Sequence, residues 1–151
     1  MTGTCYFEDL QEGMLFKSSS REVVEADFLR FADISGDHNP IHVDATLAAE
    51  SEFGQRVAHG PFGIAVAIGL CGNMPEFRDS AVMMTNVKDW RFIAPILIGD
   101  RLTLELTVGR LSRSRSGRAF VERQMRLVRA DGTCVQEGTS DMVIKTREEM
   151  S

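Results

Sequence analysis

The sequence predicts an α+β fold, a curved antiparallel sheet wrapped around one central helix, and two stretches carry that prediction. Pro61 to Gly72 (PFGIAVAIGLCG) is twelve residues without a charged side chain, apolar in every direction around a helix axis. Leu102, Leu104, Leu106 and Val108 alternate with Thr103, Glu105 and Thr107, the period of a half-buried strand. A helix that must be covered and strands with one apolar face satisfy each other when the sheet curls around the helix.

The chain of 151 residues is expected to form a single domain (1–151), since no linker, repeat or low-complexity tract interrupts it. A hydrophobic share of 43% with 26% charged residues excludes disorder. The net charge of −5 argues against a general affinity for nucleic acid or for an anionic membrane. Cys5, Cys71 and Cys134 are odd in number and far apart, as reduced thiols would be. Glu8, Asp9 and Glu12 stand near the start without an apolar run, so no signal peptide is expected, and the expected location is cytoplasmic.

In order, Leu15 to Val24 reads as a strand containing the polar run Lys17 to Ser20. Phe28, Leu29 and Ala32 share one face of a helix over Glu25–Ala32, which Ser35-Gly36 must end. Pro40 disfavours helical backbone at Asn39, so Asp37 to His42 is a constrained loop or a single turn. Asp44 caps a second short helix, Ala45 to Glu52, with Leu47, Ala48 and Phe53 on its apolar side and Gly54 past its end. Arg56 to His59 is extended, and Gly60-Pro61 opens the central helix. Gly63 and Gly69 cost that helix stability, which points to close packing against another backbone.

Beyond it, Ala81 to Phe92, the alternating strand after Gly99-Asp100, Ala119 to Arg129 and Thr133 to Lys145 read as strands, with turns at Ser116-Gly117 and Asp131-Gly132. About five antiparallel strands result. Their open edges invite a second copy, so a homodimer is expected.

Asp37 and His42 could hold one water and move its protons in both directions. The same residues could equally cap a turn and sit half-buried. Gly60 could offer its backbone N–H, at the positive end of the helix, to an oxyanion, because Pro61 has no N–H to give. A plain helix start accounts for it as well, and His59 reads as a structural residue beneath the loop. A metal would find His38, His42 and Asp37 close in sequence, but Pro40 breaks the helix that would align them, so none is expected. Arg110, Arg113, Arg115 and Arg118 either bind phosphates or solvate a hairpin. Phe62, Met83, Met84 and Trp90 are candidates to line a pocket.

The segment FADISGDHNPIHVDATLA resembles the signature of the MaoC-like, (R)-specific enoyl-CoA hydratases, with Gly36, Asp37, Asn39, Pro40, Ile41, His42 and Ala48 in place. YFEDLQEGMLF, VAHG and RFIAPILIGDRL extend the similarity over nearly the whole chain. Phe31 stands where Tyr is frequent, and Pro61 where a larger apolar residue often follows the glycine. The resemblance implies a hot-dog fold, Asp37 and His42 as the catalytic pair, Gly60 as oxyanion donor, and Asn39, with Gly60, as a substrate-binding residue that orders the loop or the water network. It implies reversible hydration of a trans-2-enoyl thioester of CoA or an acyl carrier protein to the (3R)-3-hydroxyacyl product, with no further cofactor. A hot-dog thioesterase, an enzyme adding another nucleophile such as an amine, and an acyl-binding subunit are the alternatives.

Overall fold

Alternating apolar residues build the centre of the molecule. In the computed structural model, which describes residues 3–151, strand β5 (Arg101–Arg113) buries Leu102, Leu104, Leu106 and Val108 on one face. It pairs with β6 (Ala119–Arg129), and β6 pairs with β7 (Cys134–Ile144), all antiparallel. Two short strands, β1 (Leu15–Lys17) and β2 (Arg21–Glu22), share the flank on β5. Two more, β3 (Ala81–Met84) and β4 (Lys88–Phe92), share the flank on β7. The seven strands therefore occupy five lanes of one sheet, as the strand count from sequence anticipates.

Both flanking strands are broken where the sequence reads them as continuous. At the first break, Ser18 keeps contact with β5, its N–H donating to the Leu104 carbonyl and its Oγ accepting the Leu104 N–H. At the second, the Asn86 side chain bonds both the Asp141 carboxylate and the Asp141 N–H, and Asp89 takes a positive φ of 50°. Side chains replace ladder bonds at these points, an exchange that hydrophobic periodicity does not report.

Helix α1 (Glu25–Ser35) ends at Gly36 in the left-handed region, φ 76°, as its C-terminal glycine predicts. It is followed by the single turn α2 (Pro40–Val43) and by α3 (Ala45–Ala49), shorter than expected. Of the apolar side expected for α3 only Ala48 is buried, while Leu47 and Phe53 are exposed.

The central helix α4 (Gly60–Gly72) lays Phe62, Val66, Ala67, Leu70 and Cys71 into the curve of the sheet, in one core with Leu104, Leu106, Val121, Met125 and Leu127. Each large side chain buried there contributes about 1.5–3 kcal/mol. The helix is not covered on all sides, however. Pro61, Ala65, Gly69 and Gly72 are exposed and Ile64 and Ile68 half-buried, a stripe at helical spacing that the sheet leaves open. The glycines differ too. A Cβ on Gly63 would overlap the Gln136 side-chain amide, not a backbone, and one on Gly69 would meet nothing. No helix among the described residues is long and apolar enough to cross a membrane.

Candidate active site

The loop after α1 is held by its own short polar side chains. Ser35 Oγ accepts the Asp37 N–H at 3.2 Å, Asp37 Oδ1 accepts the Asn39 N–H at 3.1 Å, and Asn39 Oδ1 accepts the Ile41 N–H at 3.2 Å. Asn39 thereby caps α2, whose first residue is Pro40, and Asp44 caps α3 through the N–H groups of Thr46 and Leu47. The sequence DHNPIH thus folds into a rigid turn that presents Asp37 and His42 to one cleft.

Hydrogen-bond partners fix the histidine tautomers. His42 Nδ1 lies 2.7 Å from the Val57 carbonyl, which can only accept, so Nδ1 carries the hydrogen and the Nε2 lone pair is free. That Nε2 faces Asp37 Oδ2 at 3.9 Å, too far for a direct hydrogen bond. His59 is buried and lies 2.8 Å from the Asp37 carbonyl through Nε2, so this nitrogen donates. The two imidazoles stack, with centroids 3.7 Å apart and planes 25° from parallel, and Phe31 packs against His59. His59 Nδ1 is buried without a hydrogen-bond partner among the described residues.

These atoms also bear on a metal. Asp37, His42 and His59 bring ligand atoms within 4.8 Å of one another. His59 Nε2 donates to a carbonyl, so of the atoms that face one another here Asp37 Oδ2 and His42 Nε2 keep free lone pairs, fewer than a zinc site uses. His38 is not part of the cluster. It is exposed and pairs with Asp33 at 3.0 Å.

Gly60 completes the arrangement. Together with Phe31, Asp37, His42, His59 and Pro61 it lines a cleft of about 170 Å³, and its N–H meets no acceptor among the described residues. Gly60 also borders a second cleft of about 280 Å³, walled by Val57, Ala58, Phe92, Pro95 and Ile96 and reaching Gln136. The Phe92 ring stands over Gly60, 3.0 Å from where a Cβ would project.

The structure thus brings Asp37, His42 and Gly60 to one cleft, while Asn39 is exposed beside it with its side-chain oxygen capping α2. Of the expected pocket residues, Phe62 is in the core, Met83 and Met84 are exposed on the outermost strand β3, and Trp90 is half-buried and donates its indole N–H to Gln136, which lines the second cleft. The arginines lie around the β5–β6 hairpin, where Arg113 pairs with Glu8 and covers the Phe7 ring. Through the strand register Arg113 is level with Ile144, eight residues beyond Gln136 on β7, or about 26 Å from the site's end of the sheet. Two contributions escape sequence reading. His59 looks structural because its partner is a backbone carbonyl, and Gln136 is one polar residue of a distant strand. The pairing of Gly60 with His59 in VAHG is the signal that could have drawn attention to the histidine.

The model of the MaoC like domain matches residues 9–129. The chain belongs to that family. Protein MaoC of Klebsiella aerogenes is 41% identical over 109 residues, 70% of this chain and 31% of that protein. A 3-hydroxybutyryl-CoA dehydratase of Methylorubrum extorquens is 36% identical over 107 residues, 70% of this chain and 65% of the relative. The chain therefore spans less than two thirds of either of these relatives. An (R)-specific enoyl-CoA hydratase of Rhodospirillum rubrum is 33% identical over 68% of this chain and 69% of its own length. The crystal structure of a MaoC-like dehydratase from Rhodospirillum rubrum superposes with a TM-score of 0.83 at 28% identity, covering 94% of this chain and 97% of the other. A Mycobacterium tuberculosis protein described as a double hotdog fold superposes at 0.82 with 19% identity, covering 97% of this chain and 46% of that one, a likeness of fold alone. This MaoC-like domain has the hot-dog fold.

Proposed function

We propose that this MaoC-like protein is a hydro-lyase that adds water reversibly to a trans-2-enoyl-CoA, giving the (3R)-3-hydroxyacyl thioester. One observation carries the reading: His42 Nε2 and Asp37 Oδ2 face each other at 3.9 Å in a cleft that ends on the free Gly60 N–H. That separation lets a single water touch both groups. As the water oxygen attacks Cβ, its proton passes to His42 Nε2 and the π electrons move onto the thioester oxygen. The Gly60 N–H, reinforced by the positive end of α4, stabilises the enolate-like oxygen. The Asp37/His42 pair then returns one proton to Cα, so that water is the sole addition. The scheme uses no metal and no cofactor beyond the CoA of the substrate. The family and the names of the relatives support the same class of reaction.

The test is to incubate the protein with a short trans-2-enoyl-CoA while following the conjugated-thioester absorbance and free thiol together. Loss of absorbance without thiol is expected; thiol release assigns the protein to thioester hydrolysis and overturns the proposal.

The protein also acts as a homodimer in this reading. The open stripe of α4 and the exposed Val82, Met83 and Met84 on the outermost strand β3 supply the apolar surface that a second copy covers. Light scattering should give twice the chain mass of 16.8 kDa, and a monomer at micromolar concentration would contradict it.

A further inference from the structure

We infer that Gln136 and Trp90 form a positioning relay that aims the Gly60 amide, an inference that rests on the hydration reading above. Gln136 lies on β7 opposite Phe92, and its side chain is 3% exposed. Its Oε1 accepts the Trp90 indole N–H at 2.9 Å, and its Nε2 donates to the Gly60 carbonyl at 3.0 Å. The orientation of the amide is determined, because the indole can only donate and the carbonyl can only accept.

Two glycines make the room. A Cβ on Gly63 would overlap all three atoms of the Gln136 amide, and one on Gly138 would stand 2.5 Å from the Trp90 ring. Replacing either by alanine in an element interior would ordinarily favour the fold, so keeping glycine at both positions serves the space that Trp90 and Gln136 occupy.

The effect falls on Gly60. Glycine has the loosest backbone of any residue, and an oxyanion donor is useful only when it is aimed before the charge develops. The Gly60 carbonyl and N–H share one Cα, so anchoring the carbonyl to the sheet through Gln136 restricts how the N–H can swing. Gln136 lines the larger cleft, which shares Gly60 with the cleft of Asp37 and His42 but includes neither of those residues. It acts through Gly60 and not on the reacting atoms.

The test compares the intact protein with Gln136→Leu and Gln136→Glu on a short trans-2-enoyl-CoA. Gln136→Leu keeps the volume and loses both bonds, and should lower kcat about tenfold while KM stays within about threefold. The chain has one tryptophan, so its emission maximum should shift in the same variant. In Gln136→Glu the side chain can donate to the Gly60 carbonyl only as the carboxylic acid. Its kcat should therefore fall as pH rises through a step absent from the wild-type profile. A Leu variant within twofold of wild-type kcat, or a Glu variant whose profile superimposes on wild type, overturns the inference. Should Gln136→Leu fail to fold, the Glu profile decides. A wild-type protein without hydratase activity overturns the hydration reading and this inference together, whereas an active wild type with unaffected variants overturns this inference alone.

Discussion

Replacing Gly63 by alanine tests the packing beneath the candidate site. The new methyl would overlap the amide of Gln136, which is buried and hydrogen-bonded at both ends, to Trp90 and to Gly60. Displacing that amide forfeits two bonds worth about 1 kcal/mol each, and overpacking adds about 1–3 kcal/mol. Alanine returns about 1 kcal/mol of helix propensity. The net cost is about 2–4 kcal/mol, or a Tm lower by about 4–16 °C for a chain of this size. The same substitution made beside Gln136→Ala meets open space and should cost nothing or stabilise slightly. Thermal melts of wild type, both single variants and the double variant complete the cycle. Equal costs in the two backgrounds, or a Tm raised by Gly63→Ala alone, would refute the packing argument.

Three other outcomes are expected. His59→Phe keeps a ring stacked on His42 but frees the Asp37 carbonyl; Tm should move little, since the orphaned Nδ1 disappears with the lost bond, and kcat should fall about tenfold. Asp44→Ala removes the cap of α3 and should lower stability by about 1 kcal/mol in denaturant melts. The Arg147 guanidinium, 2.6 Å from Asp9, and the Tyr6 N–H hold the Asp9 carboxyl below its ordinary range, so the contact stabilises the fold above the unfolded-state pKa of about 4 and is lost as pH falls through the lower folded value. Asp9→Asn should lower Tm slightly at neutral pH, and the difference should vanish in acid; the pair is largely exposed, which keeps the effect small.

Much of this was legible because local rules and tertiary packing agree. Pro61 starts α4, Gly36 ends α1, and the Leu102–Val108 alternation sets the face of β5 that meets the core. Ala119–Arg129 is bounded by its turn residues, and the structure keeps those bounds. The Asp37–His42 turn follows from Asn39 and Pro40, whose effects are local. What could not be read depends on partners far along the chain. Gln136 is 76 residues from the carbonyl it holds, and its neighbours in sequence carry no trace of Gly60. Met83 and Met84 look like pocket lining in composition, but β3 is the last strand of the sheet and leaves them exposed. The apolar run of α4 implied burial all round, whereas the chain buries the side that faces the sheet and leaves the opposite stripe open.

The account turns on the carboxylate and imidazole that meet across 3.9 Å, and the most direct measurement is kcat/KM of Asp37→Asn on a short trans-2-enoyl-CoA, with the melting temperature as control. Asparagine keeps the shape and the bond from the Asn39 N–H but cannot exchange a proton. A loss of about a thousandfold at unchanged Tm is predicted; a loss smaller than about tenfold would remove Asp37 from the chemistry and contradict the account.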